Sequence, residues 1–484
     1  MHNVFMNTTI KILLVRLVLP FFLVLPMLLL SGSWQWALAD QTAINNHQPV
    51  PPQPQAHLES EKPPIPVLTL ELPVIDYPFN WSDGYTAPSM QQSLHVTKDV
   101  YQYSHYKLAQ WLDDRPVART LSVIGFDVVS LWLPFGAAWM HEEWHRAVLS
   151  HRGIDSFNEI YEFPLFAETI SVKHVKDEDL IRLKRDYPAD MVRLHAAGIE
   201  SQYELNFALE KDRFYLQPPT LDDAILWLNY INNISYMYTC ASDQSNTITD
   251  ELMQQEDEDI SERDFTGLDC NAWVYDLFRP DEPYEQRGTH PSGVGIKRYI
   301  KYDDLTGEEQ DFLKTNFRLS LLNLVNPFLY RFEYFTATNP INHQPFRWNA
   351  TLRHHITSFG YSIDANFFYQ QKLVNAMAIF HHYFNKTHFF PGLELALVRY
   401  PVSVLNTRLP LSVRTSVWLQ PKGQQFYADS SELGGIATLK FNFPSYRQWE
   451  TFLELEAKTQ GWVAGNVYLG DNVSMRLGVA AKLF

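Results

Sequence analysis

Apolar positions recur with helical spacing from about residue 90 to 230, and a longer apolar run over 121–140 leads directly into WMHEEWHRAV at 139–148. Pro134 suits a first helical turn and Gly153 a C-terminal stop, so the spacing predicts a helix over 135–151. The run has the length of a membrane span, but Asp127 and Pro134 lie inside it and Glu142, Glu143 and Arg146 follow it, which favours a buried core helix. A second long helix is expected over DYPADMVRLHAAGIESQYELNFALEKD, with Asp186 as N-cap and Pro188 in its first turn. From about Arg347 the period changes to two. Trp348, Ala350, Leu352 and Ile356 alternate with Asn349, Thr351, Arg353 and His355, and YSIDANFFY continues the pattern, as strands with one wet face do. Further strands are expected near 375–384, 392–400, 410–420, 435–443, 448–458, 461–469 and 475–484. That makes eight or nine, each about 9 to 11 residues long, enough to cross a bilayer when tilted. PSYR and GDNVS read as tight connections and PKGQQFYADSSELGG as a long one.

The N-terminal pattern adds export. Lys11 and Arg16 precede the apolar run 17–30, and Ala37-Leu38-Ala39 supplies small residues for a signal peptidase, so 1–39 reads as a signal peptide. Residues 40–89, rich in proline and polar residues, read as a linker. A helical domain over 90–340 and a β-barrel over 341–484 complete the expected α+β multidomain chain. Hydrophobic residues at 46% and aromatics at 14% suit a globular fold and a membrane barrel alike, so composition does not choose between them. The net charge of -16 excludes general affinity for nucleic acid, because no basic excess exists to neutralise phosphates. In an exported chain the two cysteines, Cys240 and Cys270, are expected to form a disulfide. The acidic run over 248–264 reads as a solvated face.

The chemistry lies in H-E-x-x-H: His141, Glu142 and His145. Two histidines four apart on a helix point the same way, one turn above the other, as a zinc chelate requires. Glu142, beside the first ligand, is placed to take a proton from a zinc-activated water, whereas Glu143 points elsewhere and reads as a solvated charge. On the second helix Glu200 and Glu204 lie four apart on the face shared by Ala196, Ala197 and Phe207, and Ala196, Ala197 and Gly198 are small enough to let the helices approach.

These two helices resemble the zincin metallopeptidases, and among them the gluzincins. The resemblance covers 134–212 and implies His141, His145 and Glu200 as zinc ligands, Glu142 as general base and Glu204 as the carboxylate that orients a ligating histidine. It departs from that family in having Glu rather than Asp at 204. On the residues alone the third ligand is Glu200, Glu204 or His195, and Tyr203 is a candidate transition-state donor. FNEIYEF and AETISVKHV are strand-like, in the position where zincins offer an edge strand to substrate.

The end MRLGVAAKLF, with Gly478 and the terminal Phe484, resembles the last strand of bacterial outer-membrane barrels, although its apolar set is out of phase with Phe484. The whole chain is then expected to be an exported zinc peptidase. It would be held in the outer membrane with a periplasmic-facing domain, or else be periplasmic or secreted, and it would act on peptides or proteins. The alternative is a non-catalytic outer-membrane barrel with a helical periplasmic domain serving assembly, adhesion or transport.

Overall fold

The period-two half builds one large antiparallel sheet. The computed structural model describes residues 68–483, apart from 83–84, 168, 219, 257–258 and 405–406. The expected signal peptide, the linker up to residue 67 and Phe484 lie outside the described residues.

Strands β4 (Phe335–Thr338), β5 (Pro345–Thr357), β6 (Gly360–Gln371), β7 (Val374–Phe384), β8 (Phe389–Val404), β9 (Thr407–Pro421), β10 (Ser431–Tyr446), β11 (Trp449–Lys458) and β12 (Asn472–Leu483) follow one another as neighbours. The sheet is completed by β1 (Leu68–Tyr77), which pairs antiparallel with β12 from Leu68↔Leu483 to Tyr77↔Met475. It therefore has ten strands and is not closed: β1 and β4 are its two edges.

Two expectations are corrected here. Part of the assigned linker is a strand: Leu68, Leu70, Leu72 and Val74 alternate with Thr69, Glu71 and Pro73, and Pro73 is tolerated because it lies on an edge strand at a register shift. Residues 461–469, expected as a strand, instead belong to a long connection between β11 and β12, and GDNVS is no tight turn: Gly470 and Asp471 end that connection and Asn472 starts β12.

The alternation is as read, but the sheet is inside out relative to a soluble one. Arg353, Asp364 and Glu456 are 2%, 4% and 6% exposed, while Leu352, Leu395 and Val417 are 39%, 49% and 55% exposed. The polar face is the covered one. Burying so many charges costs several kcal/mol per ion unless each finds a partner, and here they do. Arg414 lies 2.9 Å from Glu394, and Arg476 lies 3.1 Å from Glu456 and 3.3 Å from Asp76. Arg399 of β8 reaches Glu71 of β1 at 3.3 Å, and Lys440 of β10 reaches it at 2.6 Å. These strands are not neighbours, so the sheet curls around its polar face.

What covers that face is helical. Helix α1 (Met90–Trp111) starts with a capping box at Ser89 and Gln92. It and α5 (Pro188–Tyr215) bring Lys98, Glu204, Lys211 and Asp212 to a cavity of about 270 Å³ shared with Arg353, Arg414 and Lys440. Helix α5 runs the length of the concavity. The Arg193 guanidinium donates to Asn466 O at 3.0 Å near one end, and Tyr215 O accepts from Gln370 Nε2 at 3.3 Å near the other.

The apolar run 121–140 does not make one buried helix. It divides into α2 (Pro116–Val129) and α3 (Ala137–His151), with the break at 133–136 where a Cβ on Gly136 would stand 2.1 Å from Ser130 O. Taken together, 116–151 is long and apolar enough to cross a membrane, with mean hydropathy 1.6 over the best window and 33% of that window buried. The buried-core reading holds for α3. It fails for α2, where Val117 and Leu121 are exposed.

The remaining helices are α4 (Asp177–Asp186), α6 (Asp223–Cys240), α7 (Gln244–Gln255), α8 (Asp269–Phe278) and α9 (Gly307–Ser320). Asp186 ends α4 rather than capping α5. Residues 65–484 cluster as one compact unit, so the helical part and the sheet share a core instead of dividing near 340.

Candidate metal centre

Helix α3 brings His141 and His145 onto one face with ring centroids 5.0 Å apart. The Nδ1 of His145 lies 2.7 Å from the Leu194 carbonyl. A carbonyl only accepts, so this nitrogen carries the proton and Nε2 keeps its lone pair for a ligand. Both Nε2 atoms converge on Asp269: His141 at 3.0 Å and His145 at 3.3 Å from Oδ2. One donor atom from each of the three residues lies within 4.8 Å of the others.

Two features place Asp269. It is the first residue of α8, and its backbone N–H donates to Tyr236 Oη at 2.9 Å. Its neighbour Cys270 forms the expected disulfide with Cys240, at a Cα–Cα distance of 6.1 Å, which ties the start of α8 to the end of α6. The small residues of α5 do allow close approach. A Cβ on Gly198 would stand 2.3 Å from Nε2 of both histidines, so only glycine leaves room above the chelate.

Burial opposes the charge on Asp269, but His145 and the bonds from both imidazoles hold its carboxyl well below the usual range. Burial lowers His141, whereas Asp269 and the Leu194 carbonyl outweigh burial at His145 and raise it. Glu142 is pushed well up, first by burial and then by the charge of Asp269. A bound cation reverses this logic for every group around it. The Glu142 carboxylate takes no hydrogen bond from another side chain among the described residues.

The structure departs from the expected ligand set at the third position. Glu200 does not reach the histidines. It is fully buried against Arg193, whose Nη2 donates to Oε1 at 2.9 Å, and it accepts from Gly465 N at 2.8 Å and Trp462 Nε1 at 3.3 Å. The reason is helical phase: Gly198 faces the imidazoles, and two residues on, about 200° further round, the side chain faces the opposite way. Glu204 lies 3.6 Å from Arg353 on the cavity side, so the Leu194 carbonyl does the orienting work expected of it.

His195 does not join the cluster either: it sits between Asp276 Oδ2 and Thr266 Oγ1, each at 2.9 Å. Tyr203 is buried against His355, at a centroid distance of 5.1 Å. Glu143 is no solvated charge. It is fully buried in a two-bond pair with Arg146 at 2.7 and 2.8 Å and accepts from Asn158 at 2.9 Å. The strand-like pieces shrink to the two-residue pair β2 (Phe157–Asn158) and β3 (Val172–Lys173), packed beside α3.

No family model, curated protein or solved structure matches the chain. The site must therefore be argued from its own geometry. Asp269 was missed because a lone aspartate past an acidic run has no diagnostic spacing; its one signal was adjacency to a cysteine expected to be bridged. None of the three converging residues lines the large cavity of the sheet, so the cavity and the cluster are separate features.

The space above the chelate gives a direct test. Gly198→Ala is expected to weaken zinc affinity about tenfold or more, because the helices must part or the imidazoles rotate. Competition titration against a chromophoric chelator reads this; unchanged affinity would show that the three residues do not form the site.

Proposed function

We propose that this protein is a zinc-dependent hydrolase of peptide bonds, with His141, His145 and Asp269 holding the metal. The observation that carries the reading is the convergence of two imidazole Nε2 atoms and one carboxylate under a glycine, with Glu142 beside them and, among the described residues, without a side-chain hydrogen bond. Two nitrogens and one oxygen suit zinc, and three protein ligands leave a fourth position for substrate or water. Bound there, zinc would supply a Lewis acid able to polarise a carbonyl and to lower the pKa of water to about 7.

The rest is done by the chain. Glu142 takes the proton as water attacks the scissile carbonyl and returns it to the leaving amine. Tyr236 lies beside the cluster, its ring 6.5 Å from that of His141. Its Oη accepts from the Asp269 N–H, which leaves the phenolic proton free for the developing oxyanion. Protein purified without chelators is expected to carry one zinc per chain and to cleave a casein-type substrate. A strong chelator should stop cleavage and added zinc should restore it; protein free of zinc and inactive after zinc addition sinks the reading.

The proposal places the enzyme in a membrane through its sheet. Charged residues face the covered concavity and apolar ones face out, the reverse of a soluble sheet and the arrangement of a membrane barrel. Aromatic rings gather toward both strand ends: Trp348, Tyr369, Tyr446 and Trp449 at one, Tyr361, Phe384 and Phe389 at the other. Tyr361 and Tyr369 are eight residues apart on β6, about 27 Å along a strand, which suits an apolar band of about 25 Å.

The gap between β1 and β4 is spanned by helical segments in contact: α1 against β1, α2 against α1, α6 against α2, and Leu321–Val325 between α6 and β5. These segments are apolar outward as well, at Val117, Leu121, Leu321 and Val325.

A further inference from the structure

Resting on the membrane reading above, we infer that the metal centre faces the exterior of the cell, so that its substrates are polypeptides outside the cell. The strand register decides which features share an end of the sheet. Leu68 pairs with Leu483, so the first and last described strand ends lie together. The turns between β6 and β7 (372–373) and between β10 and β11 (447–448) are at that same end and are two residues each.

The opposite end has one two-residue turn, 358–359, and connections at 385–388, 422–430 and 459–471, of which the last two are longer than the 339–344 connection at the turn end. Bacterial outer-membrane barrels place short turns in the periplasm and long loops outside. By that rule the end bearing Leu68 and Leu483 is periplasmic, and the end with the two longest connections is displayed.

The metal centre belongs to the displayed end by four contacts. Helix α8, whose first residue is Asp269, donates from Trp273 Nε1 to Thr357 O at 2.9 Å, at the last residue of β5. Its last residue, Phe278, accepts from Tyr427 Oη at 3.1 Å in the 422–430 connection. Two residues beyond Gly198, Glu200 accepts from Gly465 and Trp462 in the 459–471 connection. Helix α3 ends there as well, with His151 packed on Tyr468 at a centroid distance of 4.7 Å. The sheet thus fixes the sidedness of a site to which it contributes no ligand, and a periplasmic-facing domain is the opposite arrangement.

The test is cysteine labelling with a membrane-impermeant maleimide in intact bacterial cells expressing the full chain, the native cysteines being bridged. Asp429→Cys reports the long-connection end, where the side chain is 88% exposed, and Leu373→Cys reports the turn end, 63% exposed. The expected result is labelling of the first in intact cells and of the second only after the outer membrane is permeabilised. The reverse pattern overturns the orientation but keeps the membrane reading. Labelling of both in intact cells overturns the orientation too, because no barrier then separates the ends. Protein found in the soluble fraction, with neither site labelled before lysis, removes the membrane reading itself.

Discussion

Glu142→Gln is expected to retain zinc at the level of the unaltered protein while casein hydrolysis falls by about 10²- to 10⁴-fold, the range that a positioned general base contributes. Glutamine keeps the shape of the side chain and removes only its ability to accept a proton. The substitution breaks no hydrogen bond among the described residues, so a folding defect is not an alternative cause. It even removes a charge that burial and Asp269 both disfavour before a cation is bound. Zinc content, thermal unfolding and kcat measured on the same preparation separate the outcomes. Activity within a few-fold of the unaltered protein, with zinc bound, would remove Glu142 from the chemistry.

The second large effect distinguishes the three side chains that converge in the fold from the ligand set that the gluzincin resemblance implies. Asp269→Ala should abolish zinc binding, since it deletes the one oxygen on which both imidazoles converge. Glu200→Gln should leave zinc in place and instead cost stability. It strips the counter-charge from Arg193, a fully buried guanidinium, and breaking one side of such a pair costs about 3–5 kcal/mol. Metal analysis paired with chemical denaturation reads both. The opposite pattern, with zinc lost from a folded Glu200→Gln protein and kept by Asp269→Ala, would overturn the assignment.

The two variants also mark where local pattern stops carrying information. The helical phase of 137–151 was legible because the i, i+4 histidines and the glycine stop depend only on the turn geometry of one helix. The small residues before Glu200 rightly announced a close helix crossing. They did not say which residue of that helix would face the imidazoles; a rotation of two residues separates Gly198 from Glu200, and only packing against α3 decides it. Asp269 comes within reach of both imidazoles because the Cys240–Cys270 bridge and Tyr236 hold the first turn of α8 beside α3, a relation between segments far apart in the chain. Glu143 was misread for the same reason: its partners Arg146 and Asn158 meet only when β2 lies against α3.

The sheet shows the same division. Alternation by itself determined that 345–371 are strands, and which residues share a face, since the period of a strand is a local property of the backbone. Which face is covered was decided by the tertiary structure. Two helices bearing Lys98, Glu204, Lys211 and Asp212 fill the concavity, and charges on distant strands can then pair across it. Strand β1, hidden in a proline-rich stretch, gains its identity from hydrogen bonds to β12 at the far end of the chain, which no local pattern encodes. The sequence alone determined that His141 and His145 share one face of a helix with Glu142 beside them, and it determined the disulfide and the two-faced strands, because each rests on short-range geometry or on the pairing of the chain's two cysteines. The carboxylate that joins the two imidazoles, the side of the sheet that is buried and the end of the sheet against which the cluster packs depend on long-range contacts, and only the folded chain supplied them.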